Sequence, residues 1–475
     1  MQKISELTIQ TLSSKGYGVV QLEQAAPLPP LEVEIAHTLP GDRAQVELRK
    51  KTRRVRKGLL LEIVEPSPMR VEPACKHARL CGGCCWQQMA YEAQLREKEH
   101  RVRKAFGPDV PVSPILPASS LFRYRNKMEF TFSENRAGMR YLGLMIAQAE
   151  GCVFNVEDCH LCSAWFSEVL GAVRRWWEGS GLNAYYPPRD EGTLRHITLR
   201  EAVRTGQKMA ILNVSGNPLF APTRSQLDSF VAAVQSVVPD ASIFLRIHQT
   251  KKGSPTRFYE MHLAGPDHIV EELHLKTGKP SFKISPTSFF QPNTLQAEKL
   301  YDAALAIVRD LKPSIVYDLY CGTGTLGMAA SLFARKVVGI EISPEALLDA
   351  EQNAQRNRIA NCTFHQGDVG QVLTRLLTEP VFERPDIVIV DPPRVGLDAL
   401  AIHHLQTLLP KAILYISCNP LTQAENIREL IRFGYQLVSL QPIDQFPHTY
   451  HIENIALLLQ TRHASFFDLG KDFTL

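Results

Sequence analysis

The hydrophobic and polar positions divide the chain into three regions. In the first, short alternating runs at residues 33–35 and 44–48 are separated by a turn at residues 39–42, and a longer apolar run at residues 58–64 follows. Alternation with a period of two is typical of strands. Five or so short strands with turns between them indicate a closed or partly closed sheet. We therefore predict an OB-like β-barrel over residues 1–68.

The last region has a different pattern, in which apolar strand-like runs alternate with helical patterns. Strands that alternate with helices predict a parallel, doubly wound sheet, an α/β fold that binds ligands at the carboxyl ends of its strands. Helical patterns lie between the first six runs. We assign residues 281–475 to this domain. Its seven predicted strands are residues 314–320, 336–342, 362–368, 386–391, 412–418, 435–440 and 452–460.

The middle region mixes both patterns. Residues 123–132 are basic, aromatic and alternating, which favours a strand, and residues 169–179 have a helical pattern. A charged amphipathic helix is predicted within residues 91–106, as a connection between domains to which the pattern assigns no chemistry. We predict a central α+β domain over residues 69–280 that helps to hold a substrate or has a structural role only.

Composition limits the class of protein. The chain has 475 residues, of which 44% are hydrophobic and 21% charged, as in globular proteins with several domains. Its start carries no apolar stretch long enough for a signal peptide, and no run approaches the ~18 apolar residues that cross a membrane. These features predict a soluble, cytoplasmic protein with no membrane partner, and we expect a monomer.

The net charge of +4 is unevenly distributed. Residues 49–57 hold seven basic side chains, and a second basic pair follows at Lys251 and Lys252. Such a run is often only a solvated face. On a small barrel it also forms a surface that follows a phosphate backbone, which favours nucleic-acid binding.

The ten cysteines are too sparse for a disulfide framework. Cys75, Cys81 and Cys84 lie within ten positions, with glycines between them that allow the backbone to curl. Three close thiols and a distant fourth fit an iron-sulfur cluster better than structural zinc, which usually has two Cys-x2-Cys pairs. The alternative is a set of buried thiols without a metal. A later group supplies the candidates for the fourth ligand: Cys152, Cys159 and Cys162.

Candidate ligand-binding residues lie at the ends of the first three strands of the α/β domain. Asp318 precedes a turn with Gly322 and Gly324, Glu341 ends the second strand, and Asp368 ends the third. Glycines allow a ligand to approach the backbone closely, and an acid at the second strand end binds ribose hydroxyls. The third glycine of the dinucleotide fingerprint is missing. The pattern therefore favours S-adenosylmethionine, which has no pyrophosphate, over a nicotinamide cofactor.

The next two strand ends bear on what is methylated. Residues 391–394, Asp-Pro-Pro-Arg, resemble the Asp-Pro-Pro-aromatic motif of enzymes that methylate amines, but Arg394 replaces the aromatic residue. Cys418 follows the next buried strand, in the sequence Ser-Cys-Asn-Pro. A free cysteine is usually an inert core residue. A thiolate here would also attack carbon 6 of a uracil, which makes carbon 5 nucleophilic enough to accept a methyl group.

This reaction needs a base that removes the proton left on carbon 5. Glu453, at the start of the last strand, is the candidate, with His448 and His451 as rivals. Asp391 would orient the uracil or the thiol. Because a uridine in folded RNA is stacked or paired, the target would have to be splayed out into the cleft.

In combination, these motifs resemble the RNA uracil-5-methyltransferase family, in its larger form with an amino-terminal TRAM domain and an iron-sulfur cluster, as in the bacterial 23S ribosomal RNA 5-methyluridine methyltransferases. The resemblance covers nearly the whole chain. Besides the barrel, it rests on residues 75–84, 289–293, 318–327, 391–394, 417–420 and 451–453.

The resemblance implies a Rossmann-like methyltransferase domain, with Cys418 as the nucleophile and Glu453 as the proton acceptor. Thr325 stands where many members of the family have asparagine, so its assignment rests on position alone. The residues that the family implies at the S-adenosylmethionine site are Gln291, Tyr320, Thr325, Glu341, Asp368 and Asp391.

The family also implies a 4Fe-4S cluster held by Cys75, Cys81, Cys84 and Cys159. The last is selected over Cys162 by its sequence neighbours. The implied partner is RNA, with 23S ribosomal RNA expected first and transfer RNA as the alternative. The competing hypotheses are an amine methyltransferase and a non-catalytic RNA-binding protein.

Overall fold

A computed structural model describes residues 3–23, 30–52, 55–149, 151–250 and 256–464. These residues form three large sheets and one two-stranded hairpin. Two basic pairs that the sequence singled out, Arg53 with Arg54 and Lys251 with Lys252, lie outside the described residues. In the described part of the chain, no helix combines the length and the apolar character needed to cross a lipid bilayer.

The amino-terminal sheet closes on itself. Its strand order is β1-β5-β6-β4-β3-β2, so its two ends are consecutive in the chain. The connecting residues complete the closure, because the Ile9 amide donates to the Asp42 carbonyl at 2.8 Å and the Gln10 amide to the Val19 carbonyl at 3.0 Å. This agrees with the predicted barrel. Its strands are β1 Lys3–Thr8, β2 Thr11–Leu12, β3 Gly18–Leu22, β4 Leu31–Ile35, β5 Arg43–Thr52 and β6 Val55–Glu65.

The central sheet has seven strands in the order β13-β12-β11-β10-β7-β8-β9. Two helices cover one face, α2 Ala164–Ser180 and α3 Arg224–Gln235, and bury Trp177 and Phe230 against Phe130 and its neighbours. The strands are β7 Lys127–Glu134, β8 Arg140–Met145, β9 Val153–Asn155, β10 Leu194–Glu201, β11 Lys208–Ser215, β12 Ser242–Gln249 and β13 Arg257–Ala264.

The carboxyl-terminal sheet confirms the predicted α/β domain. All seven expected strands are present, in the order β18-β17-β16-β19-β20-β22-β21. The last one differs from the expected parallel arrangement, because β22 runs antiparallel to both of its neighbours. The strands are β16 Ile315–Leu319, β17 Lys336–Glu341, β18 Cys362–Gln366, β19 Ile387–Val390, β20 Ala412–Ser417, β21 Tyr435–Ile443 and β22 Glu453–Gln460.

Helices cover both faces of this sheet. Several begin at polar residues that accept a hydrogen bond from the first helical turn, among them Asp368 and Asn419, so the strands end and the helices start at one edge of the sheet. The helices are α4 Thr294–Leu311, α5 Thr325–Ala330, α6 Pro344–Arg356, α7 Val369–Leu377, α8 Ala399–Leu408, α9 Pro420–Arg432 and α10 Thr461–Ala464.

The helix α1, Tyr91–Phe106, is more than a connection between domains. It packs against α9 and β21, and the segment after it forms parallel bridges from Val112 to Leu440 and from Leu116 to Ile443. The fully buried Lys98 ammonium donates to Asp444 at 2.5 Å. A buried charge requires such a partner. This helix is therefore fixed to the α/β sheet.

The division of the chain at residues 68 and 280 stays a prediction. A two-stranded hairpin, β14 Ile269–Glu272 with β15 Ser281–Ile284, spans the second of these positions. Phe282 of this hairpin is buried in the same core as Leu300 of α4. The hairpin therefore joins the central region to the α/β sheet.

Candidate active site

The turn after β16 leaves open space beside its backbone. Tyr320, Gly322 and Gly324 have φ angles of 65°, 54° and 74°, in the left-handed region that favours glycine. A Cβ on Gly322 would meet no atom within 4 Å. Gly327 instead needs its lack of a side chain, because a Cβ there would come within 2.6 Å of Asp318 Oδ2, which accepts its amide at 2.9 Å. The turn is thus fixed beneath a space that suits a ligand.

Glu341, at the end of β17, faces this turn. Its carboxylate accepts the Gly322 amide at 3.0 Å and the Ser343 amide at 2.8 Å. The side chain remains half-buried, so the oxygens keep lone pairs for further donors such as ribose hydroxyls. Thr325 is buried at the start of α5, with its hydroxyl 3.1 Å from that of Thr323.

Four more of the predicted cofactor residues lie close to the same edge of the fold. Asp368 caps α7, and Asp391 follows β19, where burial raises its pKa to about 7. Gln291 comes from the segment before α4, and its side-chain oxygen lies 3.4 Å from Gln445 Nε2. Tyr320 is half-buried at the end of β16. The structure thus brings five of the six predicted residues to the ends of four adjacent strands, with Gln291 supplied by the chain before α4.

Cys418 and Glu453 meet across the end of an antiparallel strand pair. Ser417, the last residue of β20, pairs with Asn454 of β22. The next residues along the two strands are therefore Cys418 and Glu453. Glu453 is only 5% exposed, whereas Cys418 is partly accessible.

Burial raises the pKa of both groups, and Glu453 also disfavours ionisation of Cys418. The pKa of Cys418 is raised to about 11, first by burial and then by the carboxyl of Glu453. Burial also raises the pKa of Glu453 well above its usual value, and Asp391 adds to this effect. Nearby acids disfavour one another's charge in this way. In the free protein the Cys418 thiol therefore holds its proton near neutral pH.

Arg394 opposes the rise of these two pKa values. The sequence did not reveal this role. Its guanidinium lowers the pKa of both Cys418 and Glu453. Its backbone carbonyl accepts hydrogen bonds from Asn419 Nδ2 at 3.0 Å and from the Thr422 hydroxyl at 3.2 Å. These bonds hold the loop after β19 against the start of α9. The sequence showed Arg394 only as a departure from a motif.

The two rival bases differ in position. His448 stacks on Phe122, with ring centroids 4.6 Å apart, and its Nδ1 lies 3.3 Å from Gln94 Nε2. It therefore belongs to a packed layer beside α1. His451 lies 3.1 Å from Arg394 Nη2 through its Nδ1, and it lines the same cavity as Cys418. Burial and the charge of Arg394 lower the pKa of His451 to about 4.

A cavity of about 740 Å³ opens on Cys418. This size falls within the range of ligand sites. Its lining residues include Arg394, Cys418 with the residues after it, residues 450–452, side chains of α1 and barrel residues 10–14. The helix α1, to which the sequence pattern assigned no chemistry, therefore lines the space in front of the thiol.

The predicted cluster cysteines lie near one another. The pKa of Cys84 is raised well above its usual value, first by burial and then by Cys81, Cys159, Cys85 and Cys75. The pKa of Cys81 is raised to about 11 by burial, with contributions from Cys159 and Cys75. Four thiols that sense each other's charge fit the donor set of an iron-sulfur cluster.

Two observations qualify this arrangement. In the described residues, no group of three or more His, Cys, Asp or Glu side chains is arranged to hold a single metal ion. Cys162 is fully buried in the core of the central sheet, and its thiol lowers the pKa of Cys159 through a hydrogen bond. Cys159, but not Cys162, is among the thiols that act on Cys84.

The order of the carboxyl-terminal sheet, its antiparallel strand β22 and the open glycine turn beside an acidic strand end form a doubly wound domain with a ligand site at its strand ends, as in S-adenosylmethionine-dependent methyltransferases. The tRNA (uracil-5-)-methyltransferase family model matches residues 260–462. An RNA methyltransferase of Protochlamydia amoebophila is 48% identical over 90% of this chain and 99% of its own length. One from Chlamydia trachomatis is 37% identical over 81% of this chain and 97% of its own.

Among solved structures, the Pyrococcus abyssi tRNA (uracil-54, C5)-methyltransferase, crystallised with S-adenosyl-L-homocysteine, matches with a TM-score of 0.69. The two chains are 24% identical, and the match covers 96% of this chain and all of the other. This likeness shows the fold. Together with the close relatives, the family match shows that the chain belongs to the RNA uracil-5-methyltransferase family, and it is an S-adenosylmethionine-dependent RNA methyltransferase.

Proposed function

We propose that this enzyme methylates carbon 5 of a specific uridine in 23S ribosomal RNA through a transient covalent bond between Cys418 and the uracil ring. The observation that carries the proposal is the position of Cys418 opposite Glu453, at the strand end next to Asp391. A nucleophile and a base on the same side of one cleft are what this substitution requires.

The methyl donor fits the turn after β16. Gly322 leaves room beside the backbone, and Glu341 faces that room with a half-buried carboxylate. We assign Gln291, Tyr320, Thr325, Asp368 and Asp391 to the same site. When bound, S-adenosylmethionine supplies an electrophilic methyl group on a positively charged sulfur.

Cys418 supplies the nucleophile. As the thiolate, its sulfur forms a bond to carbon 6 of the uracil, and the electron pair of the double bond between carbons 5 and 6 moves toward carbon 5 and the carbonyl at carbon 4. Carbon 5 then accepts the methyl group. Because burial raises the pKa of Cys418 to about 11, the thiolate needs a nearby positive charge, and Arg394 provides it.

Glu453 completes the reaction. As a carboxylate, it removes the proton from carbon 5, the double bond re-forms, and the carbon–sulfur bond to Cys418 breaks. A buried carboxyl group whose pKa is raised is a stronger base once ionised. Asp391 lies close enough to raise the pKa of Glu453, so we place it at the edge of the bound ring.

We also propose a 4Fe-4S cluster on Cys75, Cys81, Cys84 and Cys159. The electrostatic contact among these four thiols supports it. Cys84 and Cys159 pack with Tyr124 and Phe446, so a cluster here would brace the segment that leads to Glu453. In this proposal the barrel is the TRAM domain and contributes to RNA binding.

Transfer RNA is the second candidate substrate. The family model and the Pyrococcus abyssi enzyme both carry names that refer to tRNA, which favours this alternative. An amine methyltransferase that uses the Asp-Pro-Pro sequence after β19 would need neither Cys418 nor Glu453. Loss of methylation in Cys418→Ala would exclude it.

The decisive experiment maps 5-methyluridine in ribosomal and transfer RNA from cells with and without this protein. We expect one site in 23S ribosomal RNA to lose its methyl group in the deletion strain, and the purified enzyme to restore it. Loss of a transfer RNA site alone would support the alternative substrate. Unchanged 5-methyluridine in both RNA classes would contradict the proposed function.

A further inference from the structure

The helix α1 presents two basic side chains to the cavity in front of Cys418. His100 and Lys104 are exposed, lie one helical turn apart, and line this cavity. Nothing in the proposed chemistry uses them, because it assigns the reacting roles to Cys418 and Glu453. Their position instead suits contact with the part of a substrate that lies outside the reacting base.

The charge of the cavity lining is positive. Among the described residues that line the cavity, Glu97 is the only carboxylate, and Arg101 Nε donates to it at 2.9 Å. The other nitrogens of Arg101 donate to the carbonyls of Ser13 and Ser14. Arg101 therefore joins α1 to the barrel and is already engaged.

Lys104 differs from Arg101 in this respect. In the described part of the chain, its ammonium group has no hydrogen bond or ion pair. The barrel segment beside α1 exposes Thr11 and Ser14 to the same cavity, and their hydroxyls both donate and accept. An ammonium group and hydroxyl groups that line one cavity suit a phosphate backbone with its sugar hydroxyls.

We propose that α1 and barrel residues 10–14 bind the RNA backbone beside the target uridine, with Lys104 and His100 on the phosphates. A base that enters the site in front of Cys418 must be turned out of its stack, which requires its flanking backbone to be held. This inference rests on the proposed function, since it places the target uridine at Cys418. It assigns α1 a role in positioning RNA.

Binding of a labelled oligouridylate of about twelve nucleotides, measured by fluorescence anisotropy over a range of salt concentrations, tests the inference. Lys104→Ala should weaken binding about 3- to 10-fold and lower the slope of log affinity against log salt by about 0.7, the value for one lost phosphate contact on a single strand. Lys104→Arg should restore both the affinity and the salt slope. Arg103→Ala is the matched control, because Arg103 has the same charge but pairs with Glu99 and does not line the cavity.

A second readout separates RNA positioning from catalysis. The substrate is RNA from the deletion strain. With it, Lys104→Ala should raise the KM for RNA. It should change neither kcat at saturating RNA nor the affinity for S-adenosylmethionine. Equal effects of Lys104→Ala and Arg103→Ala, or wild-type affinity in Lys104→Ala, would overturn the inference. If the wild type binds oligouridylate through Lys104 but methylates no uridine, the proposed function fails while this RNA contact stands.

Discussion

Cys418 and Glu453 lie opposite each other because β20 and β22 are antiparallel. In a wholly parallel sheet, the first residue of a strand lies at the edge away from the carboxyl ends of its neighbours. Reversal of one strand places its first residue beside the last residue of the next strand. The direction of β22 therefore brings the proposed base to the proposed nucleophile.

Replacement of the base should trap the covalent intermediate. In Glu453→Gln the proton on carbon 5 has no acceptor, so we expect turnover to fall at least about 100-fold and methylated RNA to remain attached to the protein. Glutamine matches the protonated form of the buried carboxyl group in shape, so the fold should be kept. A complex that survives denaturing electrophoresis checks this.

The double variant Cys418→Ala with Glu453→Gln is the control for that trap. It lacks the sulfur that bonds to the ring and should form no stable complex, while it still binds S-adenosylmethionine. A Glu453→Gln enzyme that releases 5-methyluridine at the wild-type rate would show that another group removes the proton, and His451 would be the next candidate, since it lines the same cavity.

Arg394 should set the pH dependence of the reaction. It lowers the pKa of both Cys418 and Glu453, so its removal raises both values and reduces the ionised fraction at a given pH. In Arg394→Gln we expect kcat/KM to fall about 10-fold and its rising limb to move about one pH unit upward, a change of about 1.4 kcal/mol. Arg394→Lys should move the rising limb most of the way back to its wild-type pH. An unshifted profile would mean that Arg394 only shapes the loop.

Alanine variants of two glycines can distinguish the loss of a ligand contact from the cost of backbone strain. Gly322 and Gly206 both have positive φ angles, 54° and 76°, and a Cβ at either would meet no atom within 4 Å. Alanine at each should cost about 1–2 kcal/mol of stability. Only Gly322→Ala should weaken S-adenosylmethionine binding, by about 10-fold or more, as measured by calorimetry. An equal loss in Gly206→Ala would place the donor elsewhere.

Asp318 should make the protein less stable as the pH rises. Burial, with Asp391 and Glu341, raises its pKa to about 7, whereas in the unfolded chain it ionises near 3.9. At a pH between these two pKa values, the folded protein keeps a proton on Asp318 that the unfolded chain has lost. The free energy of unfolding therefore falls as the pH rises.

Asp318→Asn removes this effect, because asparagine cannot ionise. We expect its melting temperature to exceed that of the wild type by about 2–4 °C at pH 8, and by less at pH 5. Asp310→Asn, at a residue that pairs with Arg309 on the surface, is the control and should leave the profile unchanged. If the melting temperatures of Asp318→Asn and the wild type differed by the same amount at every pH, the raised pKa of Asp318 would be contradicted.

The cysteine pair near the central sheet tests the proposed cluster. Cys159→Ser should lose bound iron and visible absorbance, because a cluster ligand is removed, whereas Cys162→Ser should keep both, since Cys162 is part of the apolar core. Iron content of anaerobically purified protein checks this. Loss of iron only in Cys162→Ser would exchange the two assignments.

The sequence predicted much of the α/β sheet and less of its surroundings. Each strand of that sheet is a local apolar run, so its position can be found without knowledge of distant contacts. The direction of β22 depends on the path of residues 444–452, which no local pattern encodes. Of the six proposed cofactor residues, Glu341 and Asp368 follow from strand ends that the pattern reveals, whereas the family resemblance supplied Gln291, Tyr320, Thr325 and Asp391.

The docking of α1 could not be predicted in this way. Lys98 in a charged helix has the pattern of a surface residue, yet it is fully buried against Asp444, which is 346 positions away in the chain. Arg394 presented a similar difficulty. Its effect on Cys418 appears only when two loops, each after a different strand, are seen side by side.

The place of β22 bears on how the enzyme is made. This strand follows every other strand of its sheet along the chain, yet it lies between β20 and β21. During synthesis, the sheet therefore keeps a gap until residues 453–460 leave the ribosome, and strand edges beside such a gap attract other chains. The nascent chain gains its proposed base and its completed sheet in the same event, so we expect chains that stop before β22 to be inactive and prone to aggregation.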